Sequence, residues 1–164
     1  MFGNLVIDAL VFIFPAYCAN AVPVIFGGGR PLDGGHLFLD GKPLFGSHKT
    51  VRGFISGLVV GTLVGFGLSL LNIDYSVLLG FAVSLGALLG DLTEAFVKRR
   101  FDLAPGASLP VADQLDFVVG ALLFSVFVSP PSWQVAVVVI IVTPPIHLLT
   151  NLLAYRIGLK KEPW

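Results

Sequence analysis

The chain has 164 residues, of which 55% are hydrophobic and 12% charged, and its ten basic and ten acidic side chains give a formal net charge of zero. With a mean hydropathy of +0.91, the composition belongs to integral membrane proteins and excludes a water-soluble globular domain; no nucleic-acid partner is expected. The single cysteine, Cys18, excludes an internal disulfide and a cysteine-cluster metal site. In its apolar run Cys18 reads as a small hydrophobe rather than a nucleophile.

Five apolar stretches approach the roughly 20 residues that a helix needs to cross the hydrocarbon. The expected class is therefore an all-α integral membrane protein, with the whole chain, 1–164, forming one five-helix transmembrane domain. The first stretch runs from about Leu5 to Ile25, with Pro15 and Pro23 expected to bend or end it. Met1 to Val11 carries Asp8 but no positive charge, so this stretch reads as a retained span and not a secretory signal. A polar, glycine-rich loop, 27–52, follows. The second span, Gly53 to Ile73, is uncharged and repeats glycine at 53, 57, 61 and 65, a small-residue face for close helix packing.

Asn72-Ile73-Asp74 is expected to turn the chain into a third span, from about Tyr75 to Val97. Phe117 to Ser129 alone is too short to cross a bilayer, so the fourth span is expected to begin near Val111, which carries Asp113 and Asp116 into its first turns. Pro130-Pro131-Ser132 then turns the chain, and Trp133 stands where an interfacial anchor belongs. The fifth span, Gln134 to Tyr155, contains Pro144-Pro145 and ends in a basic tail.

With five spans, every Lys and Arg falls on one side, in loop 27–52, segment 98–110 and the tail. The positive-inside rule then predicts an outside N-terminus, a cytoplasmic C-terminus and two cytoplasmic loops. An even number of spans would scatter these cations over both faces.

The charged stretch from Gly90 to Asp116 is where chemistry is expected. Offsets of three and seven put Asp91, Glu94 and Lys98 on one helix face, and Asp113 and Asp116 share another. Carboxylates converging near a membrane surface repel one another unless a cation sits between them, and hard oxygen ligands suit Mg²⁺ held together with phosphate oxygens and water. The loop Pro43-Leu-Phe-Gly-Ser-His-Lys-Thr-Val-Arg52 has the composition of a phosphate cradle, although it is not a Walker A sequence. His36 reads as a surface residue. His147 and Asn151, four apart on an apolar helix, read equally as a functional pair or as a mutual hydrogen bond.

The motifs P-A-Y-C-A-N (15–20), P-L-D-G-G (31–35), L-F-G-S-H-K-T-V-R-G-F (44–54), G-D-L-T-E-A-F-V-K-R-R (90–100), P-V-A-D-Q-L-D (110–116) and the tail from His147 occur in this order along nearly the whole chain. This pattern resembles the CDP-archaeol synthases, and its K-R…P-G…D-x-x-D portion is similar to the signature of CDP-diacylglycerol synthases. Glu94-Ala95 departs from it, since a serine is expected in that helix motif. The resemblance implies a membrane enzyme, active on the cytoplasmic face, that transfers CMP from CTP to an unsaturated ether-lipid phosphate, 2,3-di-O-geranylgeranylglyceryl phosphate, with Mg²⁺. Its implied catalytic residues are Asp91, Asp113, Asp116 and Lys98, the three aspartates holding the metal. Lys49, Arg52, Arg99, Arg100, Asn20 and His48 would contact substrates.

Three other readings compete. A CDP-alcohol phosphotransferase needs a D-G-x-x-A-R element, which the chain lacks. A small transporter would place ionisable groups near the bilayer midplane and often show internal repeats, whereas here the charges cluster near predicted interfaces. An inactive five-span scaffold is the third.

Overall fold

The computed structural model describes residues 3–71, 75–104, 107–109, 111–160 and 162–163. Five helices occur among them: α1 (Leu5–Phe26), α2 (Val51–Leu71), α3 (Val77–Arg100), α4 (Ala112–Ser125) and α5 (Trp133–Arg156). The expected turn at 72–74, together with Pro105, Gly106, Pro110 and Lys161, lies outside the described residues.

Local chemistry starts these helices where the sequence offers caps. Asn4 Oδ1 accepts from the Val6 and Ile7 amides at the head of α1. Ser76 and Ser132 accept from the third residue on at α3 and α5. Three basic residues close α3, matching the negative end of its dipole. Pro15 and Pro23 lie within α1 rather than ending it, and α5 runs through Pro144 and Pro145.

Helix α3 is the centre of the bundle, packing on α1, α2 and α4, while α5 packs on α1 and α4. The glycine repeat of α2 does what its spacing predicts. Gly53, Gly57, Gly61 and Gly65 are that helix's buried residues, and a Cβ on Gly57 would stand 2.5 Å from the Ala19 carbonyl oxygen of α1. Gly65 meets Gly80 of α3 in the same way, also at 2.5 Å. A second glycine seam, in which Gly86 abuts Gly120 and Gly90 abuts the backbone of Asp116, joins α3 to α4.

Four helices, α1, α2, α3 and α5, are long and apolar enough to cross a membrane. Helix α4 differs from the expected 111–129 span: it holds 14 residues, about 21 Å of helix. Beyond Ser125 the chain tightens into turn bonds, Phe127 to the Phe124 carbonyl and Val128 to that of Ser125, and a last four-residue bond from Ser129 to Ser125 closes it ahead of Pro130-Pro131.

Candidate active site

A cavity of about 1000 Å³ opens where the ends of α1, α3 and α5 meet the starts of α2 and α4, beneath loop 27–50. The position of the charged groups in its wall follows from the two glycine seams. Because Gly90 lets α4 approach α3 at Asp116, the carboxylates of Asp91 and Asp116 stand on adjoining helices, and Asp116 lies within electrostatic reach of Asp91, Glu94 and Lys49.

Loop 27–50 is organised by Asp33. Its buried carboxylate accepts from the Gly35, Phe45 and Gly46 amides at 2.9, 3.0 and 3.1 Å. Burial works to raise its pKa, but the three amide donors outweigh burial and hold the carboxyl below its ordinary value. Gly46, at φ +94, makes the turn that lets its amide face Asp33. Leu32 N donating to the Lys49 carbonyl at 2.7 Å and Val51 N to that of Arg30 at 3.1 Å bind the two loop ends together. Thr50 Oγ1 accepts from Gly53 N at the head of α2 and from Gly28 N.

From this frame Lys49 Nζ reaches both carboxylate oxygens of Asp91 at 2.6 Å. Lys98 Nζ lies 2.6 Å from Glu94 Oε1 and 2.7 Å from Asp113 Oδ1. The Leu109 amide donates to that same Asp113 oxygen at 3.1 Å. Arg99 is 6% exposed, donates through Nη2 to the Ala104 carbonyl, and its buried Nε has no hydrogen-bond partner. A buried guanidinium with an unanswered donor on a cavity wall suits an anion.

Of the residues expected to act here, Asp91, Asp113, Asp116, Lys98, Arg99, Lys49, His48 and Asn20 line the cavity. Arg52 and Arg100 are not among its lining residues. Arg52 is exposed on the first turn of α2. Arg100 is engaged elsewhere: its guanidinium stacks on Phe38 and Phe96, pairs with Asp40 at 3.1 Å and donates to the Pro43 carbonyl. With Lys42 bound to Asp102 and to the Arg100 carbonyl, it latches the loop onto the end of α3. His36 lies outside the cavity wall. Among the described residues no three His, Cys, Asp or Glu side chains form a ready metal cluster; Asp113 accepts from Lys98 and from the Leu109 amide.

Sequence reasoning missed the structural role of Asp33, whose loop 31–35 is implied by the resemblance, with Asn20, to shape the cytosine pocket. It also missed Lys160, which reads as a topology signal. The wall on the α5 side carries His147, whose Nδ1 is 3.3 Å from Asn151 Nδ2, and Lys160 follows it from the tail. Apolar residues of α1 such as Phe14, Val24 and Ile25 complete the cavity and continue onto an exposed apolar helix surface.

A cavity with a carboxylate–lysine floor and an apolar side suits a charged headgroup on a lipid. The family model described as CarS-like, CDP-archaeol synthase, matches residues 2–164. The chain belongs to the CDP-archaeol synthase family. The CDP-archaeol synthase of Methanopyrus kandleri is 48% identical over 159 residues, covering 94% of this chain and 91% of the relative. That of Thermococcus kodakarensis is 44% identical, covering 95% of each chain, and that of Methanocaldococcus jannaschii 41%, covering all of both. A solved structure described as an intramembrane enzyme for archaeal membrane lipids biosynthesis has a TM-score of 0.81 at 38% identity, over 89% of this chain and 94% of the other. The CDP-archaeol synthase function is CTP-dependent cytidylyl transfer to the archaeol phosphate, and it accounts for a cavity with both charged and apolar walls.

Proposed function

We propose that this chain transfers CMP from CTP to 2,3-di-O-geranylgeranylglyceryl phosphate in the cavity, with a divalent cation such as Mg²⁺, on the cytoplasmic side of a five-span bundle. The observation that carries this reading is the convergence of Lys49, Lys98 and the incompletely bonded Arg99 on carboxylates from two helices. Orientation rests on charge. The described basic residues cluster at the cavity end of the bundle, and α4, too short to span ideally, starts at that face.

The acceptor is a phosphate monoester, already largely dianionic at pH 7 because its second pKa is about 6. One of its oxygens attacks the α-phosphorus of CTP; a new P–O bond forms, the α–β bridge breaks, and the electron pair leaves with pyrophosphate. No protein nucleophile or strong base is required. The chain must instead bring two anions together and neutralise the leaving group. Lys49, Lys98 and Arg99 suit that task, with the lipid chains along the apolar α1 wall.

Asp91 and Asp116, brought side by side by the Gly90 seam, have the donor chemistry for a hard divalent ion completed by phosphate oxygens and water, and Asp113 keeps Lys98 in position. The ion would supply charge stabilisation at the bridging phosphate oxygens. With an ion there, Lys49, now paired with Asp91, would pair with a phosphate instead. Asn20 and His48 line the cavity and would contact the nucleotide.

The test is CMP transfer from labelled CTP by purified Asp91→Asn and Asp116→Asn variants, with and without chelator. Turnover near wild type in both variants would sink the metal assignment.

A further inference from the structure

Helix α5 does not end by running off into solvent. Ile157 caps it and Gly158 takes a left-handed conformation, φ +76. The Gly158 amide donates to the Tyr155 carbonyl at 3.0 Å, and the Leu159 amide to that of Ala154 at 2.9 Å. These are the two bonds of a Schellman stop, which reverses the chain over the last turn. Lys160 N donates to the same Ala154 carbonyl at 3.3 Å, so the reversal is held one residue further. The reversed segment brings Lys160 into the lining of the cavity.

Lys160 arrives from a different side than the other cations. Among the described residues α5 packs on α1 and α4 but not on α3, so its cavity face stands across from Lys98. His147 and Asn151 of α5 line the same cavity, and His147 lies within electrostatic reach of Lys160. Burial, with lesser contributions from Lys49 and Lys98, lowers the Lys160 pKa, although Asp113 works the other way. Cations directed at one space from two walls, with Asp113 and Glu162 in the same lining, suit a phosphate held between them.

We propose that Lys160, brought to the cavity by the turn at Gly158 and sharing its lining with His147 and Asn151, is a substrate-binding residue that receives a phosphate group on the α5 wall. This rests on the cytidylyltransferase reading above and adds to it a second phosphate-holding wall. In-line transfer requires one: attacking and leaving phosphates stand on opposite sides of the α-phosphorus. The phosphate belongs either to the lipid headgroup or to the nucleotide, and the two sources are separable kinetically.

The experiment measures KM for CTP and for the lipid phosphate separately in Lys160→Gln, Lys160→Arg, Gly158→Ala and Gly158→Asn. Loss of one charge-assisted phosphate contact corresponds to a KM about tenfold or more higher in Lys160→Gln. A rise for the lipid phosphate alone assigns the headgroup, and a rise for CTP alone assigns the nucleotide. Lys160→Arg should recover most of the loss. A Cβ at Gly158 meets nothing within 4 Å, so Gly158→Ala acts through backbone strain alone and should raise the same KM to a smaller extent. Asparagine, which tolerates the left-handed region, should restore it.

A second measurement needs no variant. An amine-acylating reagent followed by mass spectrometry should label Lys160 of the wild-type protein several-fold more slowly when the cognate substrate is present. Unchanged KM for both substrates, or unchanged labelling with either, overturns the proposal. The metal reading is tested separately through Asp91 and Asp116, so the two can fail independently.

Discussion

The ammonium of Lys98 and the carboxylate of Asp113 stand 2.7 Å apart, an ion pair that crosses from the end of α3 to the start of α4. Glu94, one turn below Lys98, holds the same ammonium at 2.6 Å. The Lys98 and Glu94 side chains are 9% and 11% exposed, so solvent does little to screen them.

Removing the shared cation strands two carboxylates. Lys98→Met is expected to cost about 3–5 kcal/mol of stability and to abolish transfer. Asp113→Asn leaves Lys98 paired with Glu94 and should cost only about 1–3 kcal/mol. Thermal unfolding in detergent and CMP transfer, measured on both variants, check the order. A smaller stability loss in Lys98→Met than in Asp113→Asn would contradict it.

The α3–α4 seam predicts a sharp contrast between glycines. A Cβ on Gly120 would collide with the Gly86 backbone, which has no flexible end to yield. Gly120→Ala should therefore cost at least about 1–3 kcal/mol and lower activity by moving Asp91 and Asp116 apart. Gly67, also helical, has nothing within 4 Å of an added Cβ. Gly67→Ala should be neutral or stabilising by up to about 1 kcal/mol. Unfolding temperatures of the two variants decide this.

Asp33 gives the loop a pH dependence of known sign. Its folded pKa is depressed, so its stabilisation is fully present above the unfolded value of about 3.9 and is lost as pH falls through the lower, folded value. Asp33→Ala should destabilise by about 1–3 kcal/mol at neutral pH, because buried amides lose their acceptor. The gap between wild type and variant should close only in strong acid. Unfolding midpoints followed from pH 7 downward measure it.

Arg100 acts on the loop rather than on the cavity. Lysine keeps the charge but not the planar face that lies 4.9 and 4.5 Å from the Phe38 and Phe96 centroids. Arg100→Lys should weaken the loop's attachment by about 1–2 kcal/mol, seen as roughly tenfold faster limited proteolysis between Phe38 and Lys42. Unchanged cleavage would remove the latch from the account.

The sequence by itself determined what is local. Apolar run lengths place the chain among membrane proteins. A four-residue glycine period marks the α2 face that buries itself, and offsets of three and seven put Asp91, Glu94 and Lys98 on one face. Helical geometry repeats every 3.6 residues, so these two relations are readable without knowing the fold. Motif order carried the family as well.

Only the tertiary structure decided which charges meet. Lys49 reaches Asp91 across 42 positions of chain. Arg100, beside Arg99 in sequence, is turned away from the cavity by two rings and Asp40, and Lys160 is brought back to it by the glycine turn. Whether α4 continues to Ser129 was likewise undetermined by hydropathy, which is apolar throughout that stretch and says nothing about where helical bonds give way to turn bonds. Long-range pairing depends on where backbones can approach. Here that is set by glycine contacts between helices, whose partners no one-dimensional pattern names.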